Sequence, residues 1–198
     1  MKNSFVHAAF FAAALGFISP VVAQSTTSPL VTFDELSAAL KPRPNERVMF
    51  NEERHVRYLK TPVQVTGWVR FTPPERFERQ ITHPLSENFV IEGDQVVITN
   101  EHGKTNTLTL AQHPALQALA LGIRATLLGD LKTLKSAFEV TVSGTLDAWT
   151  IKLVPMNSKA QQKLQRLMFK GVQGRFTTMS IIESETDKIL TTFKASQR

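Results

Sequence analysis

Cysteine is absent from all 198 residues, which excludes a disulfide framework and any thiolate metal site. Beyond residue 23 the histidines are His55, His83, His102 and His113. They fall in separate predicted elements without HxH or HExxH spacing, so no metal site is expected. GxSxG, GxGxxG and glycine-rich phosphate loops are missing as well, and with them the signatures of acyl transfer and nucleotide chemistry. Glu52 and Glu53 are neighbours in a predicted strand, so they point to opposite faces and cannot work as an acid/base pair. No enzymatic activity and no cofactor are expected. The basic residues are scattered and no run of them is interleaved with stacking aromatics, which argues against nucleic acid as a partner.

Long apolar runs are also scarce, with one exception at the start. Lys2 precedes an apolar stretch from Phe5 to Ile18, and Val21-Val22-Ala23 offers small or permitted residues for cleavage before Gln24. This reads as a signal peptide over residues 1–23, too short and too closely followed by Pro20 for a membrane span. No integral membrane span is expected in the mature chain. Loss of Lys2 with the leader lowers the formal net charge from +6 to +5, and the cysteine-free remainder fits a periplasmic domain. Residues 24–31 read as a disordered N-terminus and 32–198 as one domain.

Thr32 with Glu35 three residues on forms a capping box before a short helix from Phe33 to Leu40, which Pro42 and Pro44 end. Glu46 to Leu59 reads as a first strand, its charged Glu52-Glu53-Arg54-His55 segment taken as a solvated edge. From Pro62 to Ile98 the chain alternates with period two. Val63, Val65, Val69 and Phe71 share one parity with Gly67, then Phe77 and Ile81, then Phe89 and Ile91, and Val96-Val97-Ile98 follow a Glu92–Gln95 turn. Four short strands joined by turns make an antiparallel meander with one apolar face. Thr105 to Leu110 adds another strand.

At His113-Pro114 the period changes. Leu116, Leu119, Ile123 and Leu127 form a helical stripe that Leu121 and Leu128 widen, and Gly129 and Asp130 separate this helix from a second over Leu131–Ala137. A helix this apolar is either buried in the core or lies over a cavity that an apolar ligand fills. Strands resume at Phe138, Val140 and Val142 and at Trp149, Ile151 and Leu153. A short helix over Ser158–Leu164 precedes three closing strands at Leu167–Phe169, Phe176–Glu183 and Ile189–Phe193. The sum is about ten or eleven antiparallel strands with two helical interruptions and more apolar sheet surface than the helices can cover. Such a sheet needs closure or a lid.

The order of these pieces resembles the LolA-type periplasmic carriers of outer-membrane lipoproteins, as a divergent member. The resemblance runs from Gly67-Trp68-Val69-Arg70-Phe71-Thr72-Pro73-Pro74 through Phe77 and the Gly93-Asp94 hairpin to Gly129-Asp130, Trp149 and Glu183–Phe193. It implies a mainly β fold with α, an open antiparallel β half-barrel whose helices cover the concave apolar face. It also implies a carrier or chaperone, without cofactor or turnover, that takes an acylated lipid or lipoprotein from an inner-membrane donor to an outer-membrane acceptor. The ligand would rest on Val65, Val69, Phe71, Phe77, Ile81, Phe89, Ile91, Trp149 and Ile151, roofed by Leu116, Leu119, Ile123 and Leu127. Lipoprotein carriers hold the lid with an arginine just before the family proline. Here that position is Pro73, leaving Arg70, Arg76 and Arg79 as nearby substitutes. The alternative is a protein-binding sensor or adaptor of the envelope on the same fold.

Overall fold

The computed structural model describes residues 30–40 and 45–194. The expected signal peptide, most of the expected disordered N-terminus and the Pro42 and Pro44 stop signals lie outside the described residues. Val31, at the end of that N-terminal stretch, is buried and its N–H donates to the Gly144 carbonyl at 2.9 Å.

Helix α1 spans Phe33–Ala39. Its capping box forms as the sequence predicts: the Glu35 N–H donates to Thr32 Oγ1 at 3.3 Å, and the Thr32 N–H donates to Glu35 Oε2 at 2.9 Å. Six strands follow, β1 (Arg47–His55), β2 (Val63–Thr72), β3 (Arg76–His83), β4 (Glu87–Glu92), β5 (Gln95–Thr99) and β6 (Thr105–Thr109). A single 3-10 turn over Leu110–Gln112 leads into α2 (Pro114–Leu128) and α3 (Leu131–Ala137). The second series is β7 (Phe138–Thr145), β8 (Ala148–Pro155), a one-turn α4 (Ser158–Gln161), β9 (Arg166–Val172), β10 (Arg175–Ile182) and β11 (Lys188–Phe193). Each α2 boundary follows from its residues. Pro114 supplies a fixed φ where the N–H has no helical partner, and Gly129 stops the helix at φ +67° while Asp130 caps α3 through the Thr133 N–H.

All eleven strands form one antiparallel sheet in the order β6-β5-β4-β3-β2-β1-β11-β10-β9-β8-β7. The two series are therefore local meanders joined by the β1–β11 pair, in which Phe50 faces Phe193 and Glu52 faces Thr191. Among the described residues no strand pairs with the outer edge of β6 or of β7, so the sheet is open, as expected. Two readings need correction. The first strand stops at His55 instead of Leu59; the Leu59 N–H closes a turn on the Val56 carbonyl, leaving Val56 and Tyr58 exposed. And β1 is the centre of the sheet, not an edge, so Glu52 is buried at 2% exposure.

Candidate functional site

Apart from register shifts between Thr66 and Gly67 and between Phe176 and Thr178, alternation aims one parity of each strand at the concave side. The main core gathers Phe71, Phe77, Ile91, Trp149, Ile151 and Leu153 of the sheet beneath Leu36 of α1, Ile123 of α2 and Leu134 of α3. The lid helix sits close because position 122 has no side chain. A Cβ on Gly122 would lie 2.7 Å from Leu167 Cδ1 and 3.3 Å from Phe138 Cζ. Helix α1 is tied to the end of α2 by the Ser37 hydroxyl, which donates to the Gly129 carbonyl at 3.1 Å. Under the lid, Trp149 packs edge-on against Phe176 with ring centres 5.3 Å apart.

The thirteen expected ligand-binding residues all lie on this concave side or on the helix above it. Phe71, Phe77, Ile91, Ile123, Trp149 and Ile151 are buried in the main core. Val69, Phe89, Leu116, Leu119 and Leu127 are half-buried against it. Val65 and Ile81 belong to a second, smaller cluster with Phe50, against which Val63, Val69 and Phe193 pack. No helix residue enters that second cluster. Among the described residues the concave face thus has two parts, one that helix side chains pack against and one that they do not.

Across the second part runs a charged bridge that sequence reasoning missed. Glu52 Oε1 accepts from Arg79 Nη2 at 2.7 Å and from Arg54 Nε at 2.8 Å, and Glu52 Oε2 accepts from Thr191 Oγ1 at 2.8 Å. The Arg79 guanidinium lies 4.9 Å over the Phe50 ring, a favourable cation–π placement. Arg79 starts from β3 and Glu52 from β1, on either side of β2. Between them the intervening strand carries Gly67, where a Cβ would meet the Gln80 carbonyl oxygen at 1.9 Å and Phe50 Cζ at 3.0 Å. Burial alone would raise the Glu52 pKa, but the Arg79 charge and the bonds from Arg54 and Thr191 outweigh it and hold the carboxyl below its ordinary range. Burial pulls Arg79 down from the usual guanidinium value, and Glu52 partly restores it.

At the lid end, a groove of about 450 Å³ opens between the two halves of the sheet. Gly93, Asp94 and Leu110 line one side, Ala137, Pro155 and Met156 the other, and α2 forms the base. Here Arg124 Nη2 donates to the Gly93 carbonyl at 2.6 Å, a bond joining the lid helix to the β4–β5 turn. The Arg124 Nε is buried without a partner. Of the three arginines near the family proline, none reaches the lid. Arg70 pairs with Glu78 and Arg76 with Glu92 on the convex side, and Arg79 is taken by Glu52. Among the described residues no three His, Asp or Glu side chains gather as a metal site, and no helix is long and apolar enough to cross a membrane.

Comparison with known families matches residues 31–191 to the model described as "Outer membrane lipoprotein carrier protein LolA-like". The chain belongs to this LolA-like family. Solved structures similar to the LolA-like chain include a LolA superfamily protein, NE2245, from Nitrosomonas europaea, at 10% identity and a TM-score of 0.45, covering 83% of this chain and 92% of that one. A putative outer membrane lipoprotein-sorting protein domain from Vibrio parahaemolyticus is similar at 6% identity and TM-score 0.43, covering 81% and 89%. LprF from Mycobacterium bovis is similar at 11% identity and TM-score 0.35, covering 82% and 89%. No curated protein matches the chain.

Proposed function

We propose that this LolA-like protein is a periplasmic carrier or chaperone that binds an acylated or otherwise hydrophobic lipid on its concave face and delivers it toward the outer membrane. The observation that carries this reading is the half-buried apolar strip running out from under the lid. Leu116, Leu119 and Leu127 of α2 and Val69 and Phe89 of the sheet pack against the core without being sealed into it. Beyond them, Val63 and Phe193 line the part of the sheet that no described helix packs against. Burial of a fatty chain along such a strip supplies roughly 0.8 kcal/mol per CH₂, so about 8–11 kcal/mol for one chain. That is enough for tight binding without any catalytic group. Phe71, Phe77, Ile91, Trp149 and Ile151 already fill the space beneath Ile123, so a chain entering there lifts α2. The tie to be broken on the β4–β5 side is the Arg124–Gly93 hydrogen bond. Release to an acceptor reverses the motion, and an inner-membrane donor and an outer-membrane acceptor are the partners this cycle requires.

The test is native mass spectrometry, with organic extraction, of the protein purified from its own periplasm. A bound acylated species near one per chain supports the carrier. A lipid-free protein that fails to take up a fluorescent fatty acid and co-purifies with a stoichiometric protein would overturn it in favour of an envelope sensor or adaptor.

A further inference from the structure

The polar island on the concave floor has an uneven supply of hydrogen-bonding groups. Both oxygens of Glu52 are engaged, one by two guanidinium groups and the other by Thr191. Each guanidinium offers about five N–H donors, yet among the described residues Arg79 and Arg54 each make a single side-chain hydrogen bond, both to Glu52. Arg79 is only 14% exposed and Arg54 34%, and none of their nitrogens is buried without a partner, so the free donors open to solvent at the edge of the apolar concavity. Glu87, opposite Ile81 in the register, faces the same side and its charge favours the Arg79 cation. Among the described residues no ion pair joins the two. The island therefore has donors to spare and its central acceptor is used up. Around it lie apolar groups, Phe50 beneath Arg79 and Val63, Val65 and Phe193 beside the bridge.

We propose that Arg54 and Arg79 receive the headgroup of an amphiphilic cargo, one bearing phosphate or carboxylate oxygens, while its chain lies on the apolar floor toward the lid. This rests on the carrier reading and adds the cargo's chemical class. A buried ion pair is a weak source of stability compared with apolar side chains of the same volume, so stability does not account for its place on the floor. Oxyanions match the fork of guanidinium donors, and such charge-assisted bonds are strongest where water is excluded. A neutral headgroup accepts weaker hydrogen bonds there, and a cationic one is repelled by the two guanidinium groups. The chain of the same molecule then follows the strip past Val69 and Phe89 toward Leu116 and Leu119.

The probes are decyl phosphate, decanol and decyltrimethylammonium, each titrated calorimetrically below its micelle concentration into the full mature chain, with inorganic phosphate as a fourth ligand. Decyl phosphate is expected to bind roughly ten- to hundredfold tighter than the other two chains, and inorganic phosphate much more weakly than decyl phosphate. In the Glu52→Gln/Arg54→Gln/Arg79→Gln variant, which keeps neutral hydrogen-bonding groups at all three positions, the preference should fall to about threefold or less while decanol binding persists. Arg54→Gln alone changes a partly exposed side chain, keeps the fold, and should lose part of the preference. Equal binding of the three chains to the wild type, or a preference that survives in both variants, would overturn the proposal and leave the carrier reading standing. So would inorganic phosphate binding as tightly as decyl phosphate. Absence of binding by every chain removes the carrier reading and the headgroup site with it.

Discussion

Replacing Glu52 by methionine is the sharpest perturbation of this fold. The substitution keeps side-chain volume but strips Arg79 of its partner at 14% exposure and leaves the Thr191 hydroxyl, at 2% exposure, without an acceptor. Removing one member of a buried pair costs about 3–5 kcal/mol, because the remaining charge is left desolvated and unpaired. Arg54, a third exposed, turns to water and adds little. For a domain of this size each kcal/mol moves the midpoint by about 2–4 °C, so Tm should fall by roughly 6–20 °C. The same loss should appear in urea unfolding followed by tryptophan fluorescence. Adding Arg79→Met to Glu52→Met removes the orphaned charge and should recover most of the loss, ending within about 1 kcal/mol of the wild type. The pH dependence has a definite sign. Glu52 has its pKa depressed from its ordinary 4.5, so its contribution is present above that value and lost as pH falls through the lower folded-state pKa. The gap between wild type and Glu52→Met should therefore be constant near neutrality and close as pH falls from the ordinary 4.5 through the lower folded-state value. A single variant within about 1 kcal/mol of the wild type, or a double variant no better than the single, would refute the reasoning.

Other perturbations probe the lid. Leu119→Asp places a charge at a half-buried position of α2; the protein should fold and lose uptake of a fluorescent fatty acid, and wild-type affinity in the folded variant would count against the site. Gly122→Ala gains about 1 kcal/mol of helix propensity. It also drives a methyl against Leu167, which has 0% exposure and nowhere to go, so a net loss of about 1–2 kcal/mol is expected in thermal melts. Arg124→Met removes the bond from α2 to the Gly93 carbonyl; amide exchange in α2 should quicken and fatty-acid loading accelerate, with unchanged exchange as the contrary result.

Legibility in the sequence tracks how local the determining interactions are. The β2–β5 meander is readable because each strand buries one face and each turn is a few residues long, so Val65, Phe71, Phe77 and Ile91 announce their side by parity alone. The α2 limits are readable for the same reason, Pro114 and Gly129 acting within their own turns. Strand β1 is different. Its neighbour β11 lies well over a hundred residues away, and nothing near Glu52 marks the pairing that places it at the centre of the sheet. One local signal existed: Glu52 shares the parity of Val48 and Phe50, so any strand that buries Phe50 also turns Glu52 inward. Arg79 has the same property between Phe77 and Ile81. Inward-pointing charges of opposite sign on two strands of one predicted meander are the pattern that would have found the bridge. The overrun of β1 past His55 has the opposite cause, since Val56 and Tyr58 keep the strand's parity in a segment that has already turned.

The placement of β11 beside β1 sets an order on folding. A chain emerging N-terminus first can build β2–β6 as it appears, yet β1 lacks its second neighbour until the final strand, Lys188–Phe193, has arrived. Only then do Thr191 and Phe193 reach Glu52 and Phe50. The pairing of greatest sequence separation closes the sheet last, and such contacts are the slow ones. Until β11 has arrived the chain is two half-sheets with an unsealed centre, joined to each other only through the helices and the core they share.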